Sequence, residues 1–166
     1  MSGFVIEALN RRHDRNLFSS GVDALDRYLK QQAFQDIKRR LSGCFVALDG
    51  AGAIAGYYTL AGTSVALDAL TPELIRRLPR YPVIPAMLVG RLAVAAGHQG
   101  QGLGRALVAD ALIRTDGFGI GAFAFFVDAK NAHAAAFYEA IGFSMLPGER
   151  RRMFLPLASA APLLRR

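Results

Sequence analysis

The amino-acid sequence predicts an α/β fold: a mixed central β-sheet of about six or seven strands flanked by helices, in one domain covering residues 1–166. Three observations carry this expectation. Apolar runs of strand length alternate along the chain with segments of helical periodicity. One run, Ala122-Phe123-Ala124-Phe125-Phe126-Val127, is apolar throughout, as a strand covered on both faces must be. The composition, 52% apolar and 20% charged, suits a packed core, and a chain of roughly 150 residues already buries about 70% of its unfolded surface.

Taken in order, Phe4 to Leu9 reads as a first strand. After Ser19-Ser20, the apolar positions Val22, Leu25, Leu29 and Ala33 follow helical spacing, and the pattern runs to about Leu41. Cys44 to Asp49 and Ile54 to Val65 form two strands joined through Asp49-Gly50-Ala51-Gly52, a hairpin turn marked by its glycines. Thr71-Pro72-Glu73 opens a short helix: Thr71 caps, Pro72 suits the first turn and Glu73 complements the dipole. Pro79, Pro82 and Pro85 predict an extended, polyproline-like approach to a strand at Met87–Val94. A helix from about Leu103 to Thr115 is apolar nearly all round, which predicts that most of it is buried. Another helix runs from Asn131 to Ile141 and stops at Gly142. A last strand or pair covers Phe143 to Leu157, with a turn at Pro147-Gly148.

Several function classes are excluded at this level. No apolar run approaches the roughly 18 residues of a membrane span, and Glu7, Arg11 and Arg12 interrupt the N-terminus before any signal-peptide core. Cys44 is the only cysteine, so there is no internal disulfide and no multi-thiolate metal site; a reducing cytosol fits, and its apolar surroundings mark a buried, inert thiol. His13, His98 and His133 lack metal-ligand spacing and read as surface or loop residues. The formal charge is +7, and 17 of the 20 basic residues are Arg. They cluster at Lys38-Arg39-Arg40, at Arg76-Arg77 with Arg80, and at Arg150-Arg151-Arg152. Arg presents a planar fork suited to phosphates, so the clusters fit either an anionic partner or plain solvated faces.

The segment Gln99-Gly100-Gln101-Gly102-Leu103-Gly104-Arg105 lies between a strand and a helix. Successive glycines let backbone amides converge, and a helix N-terminus adds partial positive charge, so a phosphate or pyrophosphate is the expected ligand. A Walker loop needs Lys followed by Ser or Thr, whereas Arg105-Ala106 stand here. A dinucleotide fingerprint needs a third glycine where Arg105 or Leu107 stands.

What the segment does match is Gln-x-x-Gly-x-Gly, at Gln99, Gly102 and Gly104. With Arg91-Leu92-Ala93-Val94 before it, and Asn131 then Phe137-Tyr138-Glu139-Ala140-Ile141-Gly142-Phe143 after it, the chain resembles the GNAT superfamily of acetyl-CoA-dependent N-acetyltransferases. The resemblance implies a single GNAT-like domain. It implies that Leu92, Ala93 and Val94 pair with the pantetheine arm and polarise the thioester carbonyl. Amides of Gln99, Gly100, Gln101, Gly102, Leu103, Gly104 and Arg105 would then hold the pyrophosphate, with Asn131 and Phe137 beside the cofactor. Tyr138 takes the place of the family's general acid, protonating the CoA thiolate. No metal is implied, and no general base stands out. An α-amino acceptor, with a pKa of about 7.7 to 8.0, would not need one.

A narrower likeness runs through Phe18-Ser19-Ser20-Gly21, Leu25-Asp26-Arg27-Tyr28-Leu29, Gly56-Tyr57-Tyr58-Thr59-Leu60 and Tyr81-Pro82-Val83-Ile84-Pro85. These stretches are similar to the TacT-like GNAT toxins of bacterial toxin–antitoxin pairs. The implied reaction is acetylation of the α-amine of aminoacyl-tRNA, which blocks translation. The implied state is a cytoplasmic homodimer neutralised by a ribbon-helix-helix antitoxin. Candidate tRNA contacts are Lys38, Arg39, Arg76, Arg77, Arg80, Arg91 and Arg150, because phosphate contacts dominate nucleic-acid affinity. Two alternatives remain at this point: acetylation of a small amine or a protein N-terminus, and a non-catalytic CoA-binding regulatory module.

Overall fold

A computed structural model of the chain describes residues 3–119, 121–148 and 151–160. The strands are β1 (Val5–Ala8), β2 (Gly43–Leu48), β3 (Ile54–Ala66), β4 (Val83–Val94), β5 (Ala124–Asp128), β6 (Ser144–Met145) and β7 (Arg152–Pro156). They form one seven-stranded sheet in the order β1-β2-β3-β4-β5-β7-β6. The sheet is mixed: β1, β2 and β3 pair antiparallel, β4 and β5 pair parallel, and β7 pairs antiparallel with both β5 and β6. The helices are α1 (Asp23–Arg27), α2 (Ala33–Lys38), α3 (Pro72–Arg77), α4 (Leu103–Gly117) and α5 (Ala132–Ile141). Two compact units can be distinguished, Met1–Ala61 with Gly90–Ala111, and Gly62–Val89 with Leu112–Arg166.

The first unit packs Phe18, Tyr28, Leu29, Ala33, Cys44, Val46, Tyr57 and Ala93 into one core. Tyr57 is fully buried and satisfies its hydroxyl by donating to the Leu25 carbonyl at 2.6 Å. The β2–β3 hairpin closes as expected. The Asp49 carboxylate accepts the amides of Ala51 and Ala53, and Gly52 has φ 85.

The helix after Ser20 departs from the expected continuous α-helix. Residues Tyr28–Gln32 form a π-helical turn, in which the Ala33 amide donates to the Tyr28 carbonyl five residues back. That displacement removes the α-helical partner of the Leu29 carbonyl, and the Arg15 guanidinium supplies a replacement, donating to Leu29 and Lys30 carbonyls at 3.1 and 2.8 Å. The helix also ends at Lys38 rather than near Leu41. Arg40 takes a left-handed φ of 62, and the Leu41 amide returns to the Asp36 carbonyl, a Schellman-type stop without the usual glycine.

The second unit packs Val65, Leu70, Leu74, Ile84, Ala124, Phe126, Leu146 and Phe154. The Thr71 hydroxyl caps α3 by accepting from the Leu74 amide. β4 begins at Val83, four residues before the expected Met87, and includes Pro85. Polyproline and strand dihedrals are neighbours, and Pro85 contributes through its carbonyl, which accepts the Phe123 amide at 2.8 Å. β5 is buried from Ala124 to Val127, as its apolar run predicts. α4 is buried along one stripe only, Leu103, Leu107, Val108, Ala111, Leu112 and Thr115, while Ile113 is 48% exposed; the expectation of a mostly buried helix is corrected. No described helix is long and apolar enough to cross a membrane.

Candidate functional site

In the first unit, β4 leads through a 3-10 turn at Ala96–His98 into the glycine segment and then α4. Gly100 and Gly102 have φ 80 and 83, and a Cβ added at either would meet nothing within 4 Å. Glycine is therefore required there for its backbone conformation and not by crowding. The Ala106 amide donates to the Gly102 carbonyl at 3.1 Å. Helix geometry leaves the amides of the preceding turn, Leu103 to Arg105, without intrahelical acceptors at the positive end of a fifteen-residue helix. This arrangement fits a pyrophosphate.

The Gln99 side chain does something else. Its Nε2 donates to the Ser20 carbonyl at 2.9 Å and to the Val94 carbonyl at 3.0 Å. Ser20 is itself anchored, its amide and hydroxyl both donating to the buried Asp26 carboxylate at 3.0 and 2.6 Å. The Ala96 amide donates to Ser19, and that of Ala95 to Ala55. The loop entry is thus tied to the segment before α1. Sequence reasoning placed Gln99 in the loop but missed this tether and the Ser20–Asp26 pair, because the partners lie 79 residues apart.

Leu92, Ala93 and Val94 form the end of β4, with Ala93 buried and its neighbours half-buried. The parallel register of β4 with β5 ends at Val89↔Val127. Just beyond, the Arg91 amide donates to the Thr59 hydroxyl at 3.0 Å, a side chain in place of a backbone acceptor. At Gly56 a Cβ would lie 3.0 Å from the Ala93 carbonyl oxygen and 3.1 Å from Leu107, so glycine lets β3 approach both β4 and α4.

The Arg91 guanidinium lies 3.7 Å from the centre of the Tyr28 ring. The Tyr28 hydroxyl donates to Asp36 at 2.7 Å, and Gln32 donates to the same carboxylate at 3.1 Å. The Tyr28 hydrogen bond above all, then Gln32 and the Arg91 charge, hold the Asp36 carboxyl below its ordinary range. Burial, helped by Asp36, pushes the Tyr28 phenol up to about 12. The π-turn therefore carries two members of a cluster that orients Arg91, which no periodicity in the sequence announces. Lys38, Arg39, Gly100, Gln101, Gly102 and Arg105 are exposed.

In the second unit, Asn131 is the N-cap of α5, its Oδ1 accepting the Ala134 amide at 2.8 Å. Tyr138 is 7% exposed, with the Phe137 and Phe143 rings at 5.1 and 5.5 Å. Burial first, and then the Asp128 charge, push its phenol up to about 12. Asp128 is bridged by Arg152 at 2.6 and 3.0 Å across the β5–β7 register. Arg76, Arg77 and Arg80 are exposed at the end of α3 and just beyond it. Arg150 lies outside the described residues.

The histidines follow expectation only in part. His13 is a buried side chain, not a surface one: its Nε2 lies 2.6 Å from Glu7 and its Nδ1 accepts the Asn10 amide. His98 lies 3.6 Å from Asp49, and His133 is exposed. The described residues hold no group of three acidic, Cys or His side chains that fits a metal ion. Cys44 is buried, and its thiol is pushed up to about 12 by desolvation, as an inert core thiol should be.

The family model described as Acetyltransferase (GNAT) domain matches residues 40–145. A tRNA-acetylating toxin of Mycobacterium tuberculosis (strain ATCC 25618 / H37Rv) is 36% identical, over 99% of this chain and 99% of its own length. Among solved structures, AtaT complexed with acetyl-methionyl-tRNAfMet superimposes with a TM-score of 0.87 at 29% identity, over 98% of this chain and 99% of that one. A mutant AtaT toxin bound to the C-terminus of the antitoxin AtaR and acetyl-CoA has a TM-score of 0.81 at 27% identity, over 99% and 100%. With the Gln-x-x-Gly-x-Gly loop at a helix N-terminus and the buried tyrosine on α5, these matches establish that the chain belongs to the GNAT acetyltransferases.

Proposed function

We propose that this protein transfers the acetyl group of acetyl-CoA to the α-amine of an aminoacyl-tRNA and so acts as a translation-blocking toxin. The observation that carries the reading is the full-length likeness to the tRNA-acetylating toxin, end to end and without a missing segment in either chain. The glycine-segment amides Gly100 to Arg105 receive the pyrophosphate, and Asn131 and Phe137 line the cofactor. The backbone of Leu92, Ala93 and Val94 holds the pantetheine arm and polarises the thioester carbonyl. One preorganised donor at a developing oxyanion contributes on the order of 3 kcal/mol.

Acetyl-CoA supplies the thioester. A C–N bond forms to the acceptor amine as the C–S bond breaks; the amine loses a proton and the departing sulfur gains one. Tyr138 is assigned to the sulfur. A phenol near 12 is a weaker acid than an ordinary thiol of about 8.5. Full proton transfer from Tyr138 ahead of C–S cleavage would therefore run uphill. Donating a hydrogen bond to the charge growing on sulfur carries no such cost, and the phenol stays protonated at every physiological pH. No base is required, because an α-amine is substantially neutral near pH 8.

The basic residues Lys38, Arg39, Arg76, Arg77, Arg80, Arg91 and Arg150 serve the tRNA backbone, Arg91 being the one whose head group is held in place. A small ribbon-helix-helix antitoxin, a homodimeric state and a cytoplasmic site of action complete the reading. The test is acetyl transfer from labelled acetyl-CoA to purified aminoacyl-tRNA, beside free amino acids, small amines and peptides. Preferential labelling of aminoacyl-tRNA is expected; labelling of peptides or small amines alone overturns the reading.

A further inference from the structure

Between the end of β5 and the β6–β7 segment lies a groove of about 360 Å³, lined by Ala129, Lys130, Asn131, Met145 and Arg151 among others. That volume falls within the range of about 300–1,000 Å³ typical of small-ligand sites. Its charge is one-sided. Arg152, the next residue along, is tied to Asp128 by two hydrogen bonds. No ion pair engages Lys130 or Arg151 among the described residues. Lys130 is moreover partly desolvated, which lowers its ammonium below the ordinary lysine value, so an anion in the groove would relieve a cost already present.

The rest of the lining is apolar and small. Ala129, Ala132 and Ala135 leave room, and Met145 offers a 41% exposed thioether side chain. Two cations beside a flat apolar surface suit a phosphate joined to a sugar and base. β5 pairs with β4 along one edge and with β7 along the other, and the groove draws on β6 and the residue before β7. It therefore opens on the side of β5 away from β4, the strand assigned above to the pantetheine arm.

We propose that this groove binds one nucleotide of the RNA substrate, Lys130 and Arg151 clamping its phosphate and Met145 receiving its base or ribose. The proposal rests on the tRNA reading given above and extends it to a pair of residues outside the clusters already assigned.

The test compares wild-type protein, Lys130→Ala/Arg151→Ala and Lys130→Arg/Arg151→Lys, with aminoacyl-tRNA as the RNA probe and acetyl-CoA as the control ligand. The alanine pair should bind RNA about tenfold more weakly, and its log Kd against log salt slope should fall by about 0.7–0.9 for the lost phosphate. Acetyl-CoA affinity and thermal midpoint should stay unchanged, and the charge-conserving pair should behave as wild type. An unchanged RNA slope overturns the groove alone, leaving the tRNA reading intact if wild type still acetylates aminoacyl-tRNA. A loss of acetyl-CoA affinity with RNA binding intact assigns the groove to the cofactor and overturns the proposal. Wild-type protein that acetylates no aminoacyl-tRNA overturns both.

Discussion

The side-chain amide of Gln99 donates to the carbonyl of Ser20 at 2.9 Å, across 79 residues of chain. The same nitrogen reaches Val94 at 3.0 Å, so one residue fastens the end of β4 to the segment before α1. The first residue of the glycine motif is thus a tether on the loop's shape, while the amides that follow it face outward.

Gln99→Ala removes both donations and frees the loop entry. At about 0.5–1.5 kcal/mol per hydrogen bond, the expected outcome is a rise of roughly tenfold in KM for acetyl-CoA, equivalent to about 1.4 kcal/mol, with kcat changed much less. Steady-state kinetics with varied acetyl-CoA check it. Asp26→Asn, which weakens the hold on Ser20, should shift KM in the same direction by less.

Tyr138→Phe should leave acetyl-CoA binding intact, since the phenyl ring keeps its contacts with Phe137 and Phe143. Proton-handling groups contribute about 10²–10⁴-fold, so kcat should fall by at least about 10²-fold. In the wild type, with Tyr138 raised to about 12, no loss of rate from its ionisation is expected up to pH 10. The rate should rise through the amine pKa and then hold level. Calorimetry for binding and a pH series of initial rates separate these outcomes.

Alkaline stability carries a second signature. Tyr28 and Tyr138 are both raised to about 12 in the folded protein, against about 10 unfolded. A raised folded pKa contributes stability that is whole below pH 10 and is lost as pH climbs through 12. Thermal midpoints should therefore fall between pH 10 and 12. Tyr138→Phe should flatten part of that fall, as absorbance titration at alkaline pH would record.

Gly56→Ala sets a methyl 3.0 Å from the Ala93 carbonyl oxygen and 3.1 Å from Leu107. Overpacking of this kind costs about 1–3 kcal/mol, and each kcal/mol moves the midpoint by about 2–4 °C in a chain of this size. Because the contact falls on β4, acetyl-CoA affinity should drop alongside Tm. Differential scanning calorimetry and a binding isotherm measure the two together. Gly52→Ala, in a hairpin turn with open space around it, should cost stability through its φ alone and leave binding unchanged.

Legibility in the sequence followed the range of the physics. Local signals held: the Thr71 cap, the Asp49 turn, the apolar run of β5 and the stop at Gly142 are each decided within a few residues. The interruption at Tyr28–Gln32 was not legible, because it depends on Arg15 taking up displaced carbonyls more than a dozen residues away. The extra strand residues around Pro85 were hidden by proline's reputation, although an extended proline needs only its carbonyl to join a ladder. At the site, glycine positions and Tyr138 could be picked out by motif. The Arg91–Tyr28–Asp36 cluster and the Ser20–Asp26 anchor could not, since each unites residues whose sequence neighbours say nothing of the partner.

The depth of Cys44 has a practical consequence. With 3% of its surface exposed and a thiol that ionises only near pH 12, it offers almost no thiolate to maleimides or spin-label reagents at neutral pH. The native chain is then already a cysteine-silent background. A single cysteine introduced at an exposed position such as Leu17 would take a probe alone, without first removing the native residue.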